Sequence, residues 1–319
     1  MKMVLKLLAA AVLFGNLAFA DDFDEAYKAY EKGDYEKAAK LYKRACDKGS
    51  AADCHKLGRM YLDGKGVEID DIKAMELFKN GCDKGYADSC TNAGYMHSSG
   101  RGVKQDFSKA VKFYEKGCDK GSVIGCSNLG NTYKNGKSVK QDYSKAAEFF
   151  KKACDGGNIE SCHELGYMYF FGNGVEQDDI KAFKLFEKAC DSGNAGGCHS
   201  LAHMYYSGKG VENDDIKAFE LLEKACDGGV SNSCVFLGTE YKKSPWNFGL
   251  EKNETKSAEL FKKACDNQNA EGCLRLGYIY ENEKNKGKAM EYYKKACDLE
   301  GDLAIKQVAC GYYEDKLKK

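Results

Sequence analysis

The chain is 319 residues long and carries 49 basic and 49 acidic residues, so its formal net charge at pH 7 is zero. This balance argues against nucleic acid and anionic membrane as partners, because both attract proteins through a surplus of Lys and Arg. A single proline, with abundant alanine, lysine, glutamate and aromatic residues, favours helices over strands.

Residues 1–20 have the pattern of a secretory signal peptide. Two lysines precede an apolar run at 7–14, and small residues at Ala18 and Ala20 form a cleavage pattern. The run is too short to cross a bilayer, and no other segment is apolar enough to do so. No cysteine follows the cleavage pattern to carry a lipid. We therefore expect a secreted or periplasmic chain that starts near Asp21, without a membrane span.

The 16 cysteines divide the rest of the chain into repeats. A Cys-x7-Cys frame occurs seven times, and the first cysteines of the first six frames are spaced by 36 residues. A fixed period of this length is the signature of a solenoid built from one supersecondary unit. About eight such units fit into residues 21–303, and residues 304–319 read as a charged capping helix.

Each unit begins with a helix, here called helix A, at the second cysteine of a frame. If that cysteine is position 0, Leu or Ala lies at +3, Gly or Ala at +4, and usually Tyr at +7. These offsets place the four residues on one helix face. Glycine lowers helix propensity, so we expect a neighbouring helix to approach closely at +4.

A glycine-rich loop and a second helix, here called helix B, complete the unit. The sequence predicts left-handed glycines at the end of helix A: Gly64, Gly100, Gly172 and Gly208. It predicts aspartate N-caps for helix B: Asp71, Asp106, Asp142, Asp179 and Asp215. The lysines of helix B are interpreted as its solvated face.

The cysteine frame lies between the end of helix B and the start of the next helix A. Helix ends that fold back across a tight turn can bring Cα atoms within disulfide range, and an exported chain favours disulfides. The predicted pairs are Cys46–Cys54, Cys82–Cys90, Cys118–Cys126, Cys154–Cys162, Cys190–Cys198, Cys226–Cys234, Cys265–Cys273 and the leftover pair Cys297–Cys310. Zinc is the weaker alternative, because zinc sites favour Cys-x2-Cys spacing.

A second face of helix A varies between repeats. Positions +1, +5 and +8 share this face, which lines the concave surface in related solenoids. The predicted ligand groove contains His55, Arg59, Thr91, Tyr95, Asn131, His163, Tyr167, His199, His203, Tyr206, Thr239 and Tyr278. Amides can hold a peptide backbone and aromatic rings supply contact area, so the groove suits a peptide or a cell-wall fragment. A variable solvated face is the alternative interpretation.

Two further features allow two interpretations each. His163, His199 and His203 could contribute to a metal site, but HSLAH lacks the glutamate of H-E-x-x-H, so neutral surface histidines are the default. Trp246 lies in an insertion, where it could be a binding hot spot. The preferred interpretation is that it fills the gap which the insertion creates.

The combined pattern L-G-x-x-Y, G-x-G-V-x-x-D and K-A-C-D-x-G resembles the Sel-like repeat family, which is related to tetratricopeptide repeats. With Cys-x7-Cys in the repeats and a signal peptide, the chain is similar to the Helicobacter cysteine-rich proteins. The resemblance implies a right-handed αα superhelical solenoid with one disulfide per repeat, secreted or periplasmic. It also implies penicillin binding with slow β-lactamase activity, and interaction with host proteins.

The residues themselves do not support a conventional β-lactamase. S-x-x-K, S-D-N and K-T-G are all absent, and the nearest mimic is Thr239-x-x-Lys242. We therefore predict an all-α binding protein, a monomer without cofactor or metal, whose partner is a peptide, a cell-wall fragment, a β-lactam or a host protein. Slow β-lactam hydrolysis is the alternative, with no catalytic residue assigned.

Overall fold

The computed structural model describes residues 24–137, 139–243, 252–300 and 302–317. Within these ranges every regular element is a helix. The chain divides into two compact parts, each of several repeats, with the first ending at Ser161 and the second beginning at Cys162. We call these two parts the first unit and the second unit. The predicted signal peptide, 1–20, and Trp246 lie outside the described residues.

Helices A and B alternate along the chain. The A helices are α1 (24–31), α3 (Ala51–Asp63), α5 (Ala87–Ser99), α7 (Val123–Asn135), α9 (Ile159–Phe171), α11 (Ala195–Ser207), α13 (Ser231–Lys242) and α15 (Ala270–Asn282). The B helices are α2 (Tyr35–Asp47), α4 (Asp71–Asp83), α6 (Phe107–Asp119), α8 (Tyr143–Asp155), α10 (Asp179–Asp191), α12 (Asp215–Asp227), α14 (Glu254–Asp266) and α16 (Lys286–Asp298). Helix α17 (Leu303–Leu317) follows, and the capping role of residues 304–319 stays a prediction.

Left-handed glycines end helix A where the sequence predicts them. The φ angles are 67° at Gly64, 74° at Gly100, 69° at Gly172 and 65° at Gly208. A residue without Cβ takes this conformation at little cost, so the chain can leave the helix sharply and enter the loop.

The predicted N-caps are partly wrong. Asp106 and Asp142 each accept a hydrogen bond from the backbone N–H three residues later, as predicted. The predictions for Asp71, Asp179 and Asp215 are wrong by one residue, since the capping residues are Asp70, Asp178 and Asp214. Where two aspartates are adjacent, the first takes the extended backbone of a cap. The second occupies the first helical turn, where its negative charge is also favourable.

The glycine at +4 of helix A allows an aromatic ring of helix B to lie on the helix backbone. A Cβ added at Gly94 would lie 2.6 Å from Cδ1 of Tyr114, and one added at Gly166 would lie 2.6 Å from Cε1 of Phe186. The close helix approach predicted at this position is confirmed. It buries large rings in the interior, among them Phe78, Phe150 and Phe186.

A second glycine contact joins the loop to the preceding helix B in repeats that carry G-x-G, as at Gly66, Gly102 and Gly210. A Cβ added at Gly102, whose φ is +70°, would overlap the backbone carbonyl of Asp71. In the same place, Nε of Arg101 donates to the Asp71 carboxylate over 2.8 Å. Gly210 approaches the backbone of Asp179 in the same way. The G-x-G loop is therefore a packing surface between neighbouring repeats as well as a turn.

The lysines of helix B are interpreted from the sequence as a solvated face, but the lysine at the third position also makes a contact within the repeat. Lysine at this position lies over the tyrosine at +7 of the helix A before it. The Nζ-to-ring distances are 5.0 Å for Lys145 and Tyr133, and 4.5 Å for Lys217 and Tyr205. Such cation–π contacts join the two helices of one repeat near the surface.

Disulfides connect helix B to the next helix A. The pairs Cys46–Cys54, Cys82–Cys90, Cys118–Cys126, Cys190–Cys198, Cys226–Cys234, Cys265–Cys273 and Cys297–Cys310 have Cα–Cα distances between 4.4 and 4.9 Å. Cys154 and Cys162 are disulfide-bonded as well, and no cysteine is free. The predicted all-α solenoid of disulfide-stapled repeats is confirmed.

Candidate functional site

Position +1 of helix A contacts the next A helix. In the first unit, Nδ1 of His55 lies 3.3 Å from Oγ of Ser89, and the Thr91 hydroxyl donates to Oγ of Ser122 over 2.9 Å. His55 is 7% exposed and Thr91 is 4% exposed. These two predicted groove residues therefore hold repeats together, and little of their surface is left for a ligand.

Burial gives His55 a measurable effect on stability. Desolvation lowers the pKa of His55 to about 4, while Asp88 opposes this shift and Arg59 and Lys56 add to it. Between pH 6.5 and 4 the unfolded chain binds a proton that the folded chain does not. The free energy of unfolding therefore falls as the pH falls, by about 2 kcal/mol at pH 5 from this residue.

When the pH is lowered from 7 to 5, we expect the free energy of unfolding to fall by about 2 kcal/mol less in His55→Gln than in the wild type. Urea unfolding at the two pH values measures this difference. The control is Thr91→Val, which removes an equivalent contact between repeats without a titratable group and should keep the wild-type pH dependence. Equal pH dependence in His55→Gln and wild type would contradict the assignment.

The other predicted groove residues of the first unit lie apart. Arg59 lines a cavity of about 290 Å³ together with tyrosines of α1 and α2. Asn131 lines a different cavity of about 440 Å³. Tyr95 is exposed. The first unit therefore offers no single place where these side chains act together.

In the second unit, predicted residues from two A helices meet. A cavity of about 130 Å³ is lined by Tyr167, Phe170, Phe171, Phe186, His199, Ser200 and His203. We call it the aromatic cavity. His163 lies beside it, with its ring centroid 4.7 Å from that of Tyr167. Four of the twelve predicted groove residues are thus brought together by α9 and α11.

The remaining predicted residues of the second unit lie elsewhere. Tyr206 packs edge-on against Phe236, with ring centroids 5.7 Å apart. Thr239 lines a separate cavity of about 660 Å³. Tyr278 packs against Tyr312 of α17, with ring centroids 5.3 Å apart. The aromatic cavity is therefore the place where predicted groove residues from two A helices lie together.

Rings from three helices, α9, α10 and α11, form the wall of the cavity. Tyr167 meets Phe186 of α10 edge to face at 5.3 Å, and it stacks on Phe171 at 6.1 Å. Phe170 contacts Phe171 at 4.9 Å and the imidazole of His203 at 6.0 Å. Edge-to-face and offset contacts of this kind fix ring positions, so the cavity is formed before any ligand arrives.

A short chain of hydrogen bonds closes one side of the cavity. The Ser200 hydroxyl donates to Oη of Tyr167 over 3.0 Å, and Nε2 of His163 lies 3.2 Å from Oγ of Ser200. Since the only proton of Ser200 goes to the tyrosine, its lone pair accepts an N–H from His163. Gly196 leaves room for this ring, because an added Cβ would lie 2.9 Å from Cε1 of His163.

The ionisable groups around the cavity are basic. Burial lowers the pKa of His199, and the neighbouring His203 and His163 lower it further. No carboxylate contributes to that shift. The ammonium of Lys209 lies 4.8 Å from the ring centre of Phe170. A negative charge at the rim would therefore meet the Lys209 ammonium, with no carboxylate among the lining residues to oppose it.

The histidines do not form a metal centre in the part of the chain that the structure describes. No group of three or more His, Cys, Asp or Glu side chains there is placed to hold an ion. Nδ1 of His199 instead lies 2.8 Å from Oγ of Ser233. Among the described helices, none combines the length and apolar character needed to cross a bilayer.

Sequence reasoning missed Phe171, Phe186 and Ser200. Phe186 is one of the recurring aromatic residues of helix B, and Ser200 lies at position +2 of helix A, which belongs to neither the core nor the variable positions, so the repeat pattern distinguished neither residue. Phe171 did carry a signal: position +9 of helix A holds Asp, Ser or Asn in the repeats with frames starting at 46, 82, 118 and 190, and Phe only here. An aromatic residue that replaces a polar one at a helix end indicates a surface with a special role.

Comparisons with known proteins match most of the chain. The Sel1 repeat model matches residues 27–50, 51–86, 87–122, 123–158, 159–194, 195–230 and 231–269. A tetratricopeptide repeat model matches residues 270–303. Together the matches cover the described repeats without a gap from residue 27 to residue 303.

Curated relatives match only in part. The Helicobacter pylori protein named "Putative beta-lactamase HcpD" is 46% identical over 46 residues, which are 14% of this chain and 15% of HcpD. A second Helicobacter pylori protein, named "Putative beta-lactamase HcpE", is 44% identical over 45 residues, 14% of this chain and 13% of HcpE. The matched stretch therefore spans about 15% or less of these relatives.

Solved structures match over more of the chain. A protective antigen with an SLR fold, present in uropathogenic Escherichia coli strains, aligns with a TM-score of 0.79 and 29% identity, over 98% of this chain and 67% of its own. A Sel1 repeat protein from Oxalobacter formigenes aligns with a TM-score of 0.67 and 22% identity, over 76% of this chain and 96% of its own, and supports the fold alone.

Proposed function

Because the chain belongs to the Sel1 repeat family, whose solenoids typically serve as protein interaction scaffolds, we propose that it binds an extended peptide segment of a partner protein. The aromatic cavity of the second unit is the main contact site. The observation that carries the proposal is this preformed cavity on the variable face of α9 and α11.

Exposure of apolar surface supports a binding role. Phe171 is 60% exposed although it belongs to a tight group of rings. Helix α11 carries no Lys, Arg, Asp or Glu, so its free surface is uncharged apart from its histidines. Aromatic residues next to a pocket, on a surface poor in charge, are typical of the centre of a protein interface.

The disulfides indicate a non-cytoplasmic protein, because such bonds persist in oxidising compartments. We propose the secreted or periplasmic location that the N-terminal pattern predicts. Partners available there include exported peptides, cell-wall fragments with peptide stems and host proteins.

A peptide library displayed on phage and selected against the oxidised protein tests the proposal. We expect the selected peptides to lose at least tenfold in affinity for Phe171→Ala, because an interface aromatic residue typically contributes more than about 1.4 kcal/mol. Tyr95→Ala is the matched control, since Tyr95 is an exposed aromatic residue on α5 of the first unit. Equal losses of affinity in both variants, or unchanged affinity in both, would contradict the proposal.

The second candidate function is β-lactam binding with slow hydrolysis. The names of the Helicobacter pylori relatives favour it, and so does the contact of Ser200 with His163, since a hydroxyl beside an imidazole is a nucleophile–base arrangement. Two observations weigh against it. Ser200 is 5% exposed and donates its proton to Tyr167. The same kind of pair recurs between His199 and the fully buried Ser233.

Turnover of nitrocefin by the oxidised protein separates the two functions. We expect Ser200→Ala and wild type to show the same rate, indistinguishable from that of buffer. A rate in the wild type that disappears in Ser200→Ala, while circular dichroism stays unchanged, would establish the hydrolase instead.

A further inference from the structure

We propose that the aromatic cavity selects an acidic peptide with one bulky apolar side chain, which fills the cavity while neighbouring carboxylates contact His203 and Lys209. The inference rests on the proposed peptide-binding function and specifies the chemistry of its ligand.

The size of the cavity sets the first requirement. Its volume is about 130 Å³, whereas one water molecule occupies about 30 Å³ in liquid water. The space therefore suits one branched aliphatic side chain or one phenyl ring. The rest of the ligand must lie outside, on the exposed surfaces of Phe171 and His203.

The wall of the cavity sets the second requirement. Four of its seven residues are phenylalanine or tyrosine. The polar atoms of Ser200 and Tyr167 are already bonded to each other, and Ser200 also accepts from His163. A polar group that entered among the rings would lose its water, and the hydroxyls of Ser200 and Tyr167 would give it no free partner, which costs free energy. The inserted group is therefore apolar.

Charge at the rim sets the third requirement. None of the residues that line the cavity is acidic. His203 is exposed, and the Lys209 ammonium lies over the ring of Phe170. Carboxylates beside the inserted side chain gain attraction from the Lys209 ammonium and can accept a hydrogen bond from the imidazole of His203, whereas lysine or arginine would be repelled by Lys209. An acidic sequence around the apolar anchor is therefore preferred over a neutral or basic one.

The cavity walls are also held in place. The disulfide Cys190–Cys198 joins the end of α10 to the start of α11, the two helices that supply Phe186 and the histidines. A preformed pocket spares the ordering cost of binding, which raises affinity for a side chain that fits.

Titration calorimetry with synthetic nonapeptides tests the inference. One peptide has a central Phe flanked by aspartates, the second has asparagines in place of the aspartates, and the third has a central Ala. At pH 7 and low salt we expect the first peptide to bind at least tenfold tighter than either of the others. The gap between the aspartate and asparagine peptides should shrink in high salt.

Two exposed substitutions separate the two recognition elements. Lys209→Gln and His203→Gln should weaken the aspartate peptide severalfold and leave the asparagine peptide unchanged, whereas Phe171→Ala should weaken both. Lys137→Gln is the matched control, because Lys137 follows Gly136 as Lys209 follows Gly208. It should change neither affinity.

The outcomes distinguish this inference from the proposed function. Binding of the peptides regardless of charge, or a preference for asparagine or lysine flanks, would overturn the inference and leave peptide binding standing. No binding by any peptide, here or in the phage selection, would overturn both. Concentration-dependent dimerisation that Phe171→Ala abolishes would instead assign the cavity to a second copy of the chain.

Discussion

Complete reduction of the disulfides is expected to unfold the protein at room temperature. Each Cys-x7-Cys disulfide joins residues eight apart, and closing so short a loop in the unfolded chain contributes roughly 2.5 kcal/mol. Eight links together approach roughly 20 kcal/mol in this model, which exceeds the roughly 5–15 kcal/mol stability of a typical domain. Because each repeat contacts mainly its neighbours, few contacts between distant parts of the chain remain to compensate for the lost links.

Far-ultraviolet circular dichroism after reduction in urea and removal of the urea measures this effect. Denaturant is needed because most of the cysteines are buried, with Cys54 and Cys234 fully so. Without urea, the half-buried pair Cys297–Cys310 should be the first to be reduced. Replacing Cys190 and Cys198 together by alanine should cost about 2.5 kcal/mol. A fully reduced chain that keeps the helicity and cooperative melting of the oxidised form would contradict this account.

The second large effect is expected for Gly102→Ala. The left-handed backbone at Gly102 costs an alanine roughly 1–2 kcal/mol. Its Cβ would also overlap the backbone carbonyl of Asp71, and forcing atoms into a packed contact costs roughly 1–3 kcal/mol. Because the contact is backbone rather than a flexible side chain, no rotamer change relieves it. We therefore expect a loss of about 3 kcal/mol in the free energy of unfolding.

Gly121→Ala provides the control for this prediction. Gly121 also has a positive φ, 93°, but a Cβ added there would meet no atom within 4 Å. Only the conformational penalty remains, so the loss should be about 1 kcal/mol. Urea denaturation of the two variants at pH 7 gives both values. Similar losses would show that contact with the preceding helix contributes nothing.

The architecture could be predicted from the sequence because the same structural features recur in successive repeats. Cysteine frames, left-handed glycines and the glycine at +4 recur with one spacing, so a single interpretation could be checked in each copy. The error at Asp71 shows the limit of this approach: two adjacent aspartates can both cap a helix, and only the backbone conformation decides between them.

The site was less predictable for a different physical reason. Periodicity identifies a helix face, but it does not reveal how far a side chain reaches toward the next repeat. His55 and His203 both lie on the variable face, yet one is buried against Ser89 and the other is exposed at the aromatic cavity. Ser200 lies outside the three predicted positions and still contacts two of the predicted residues.

The short span of each disulfide has a consequence for biogenesis. Sixteen cysteines allow a very large number of pairings, but the correct partner is nearly always eight residues away and therefore the nearest thiol in the chain. Each pair can oxidise as soon as its own turn enters an oxidising compartment, before later cysteines are present to compete. Loop closure over so few residues is also fast. The chain can thus mature in order from its first repeat to its last, with little need for disulfide isomerisation.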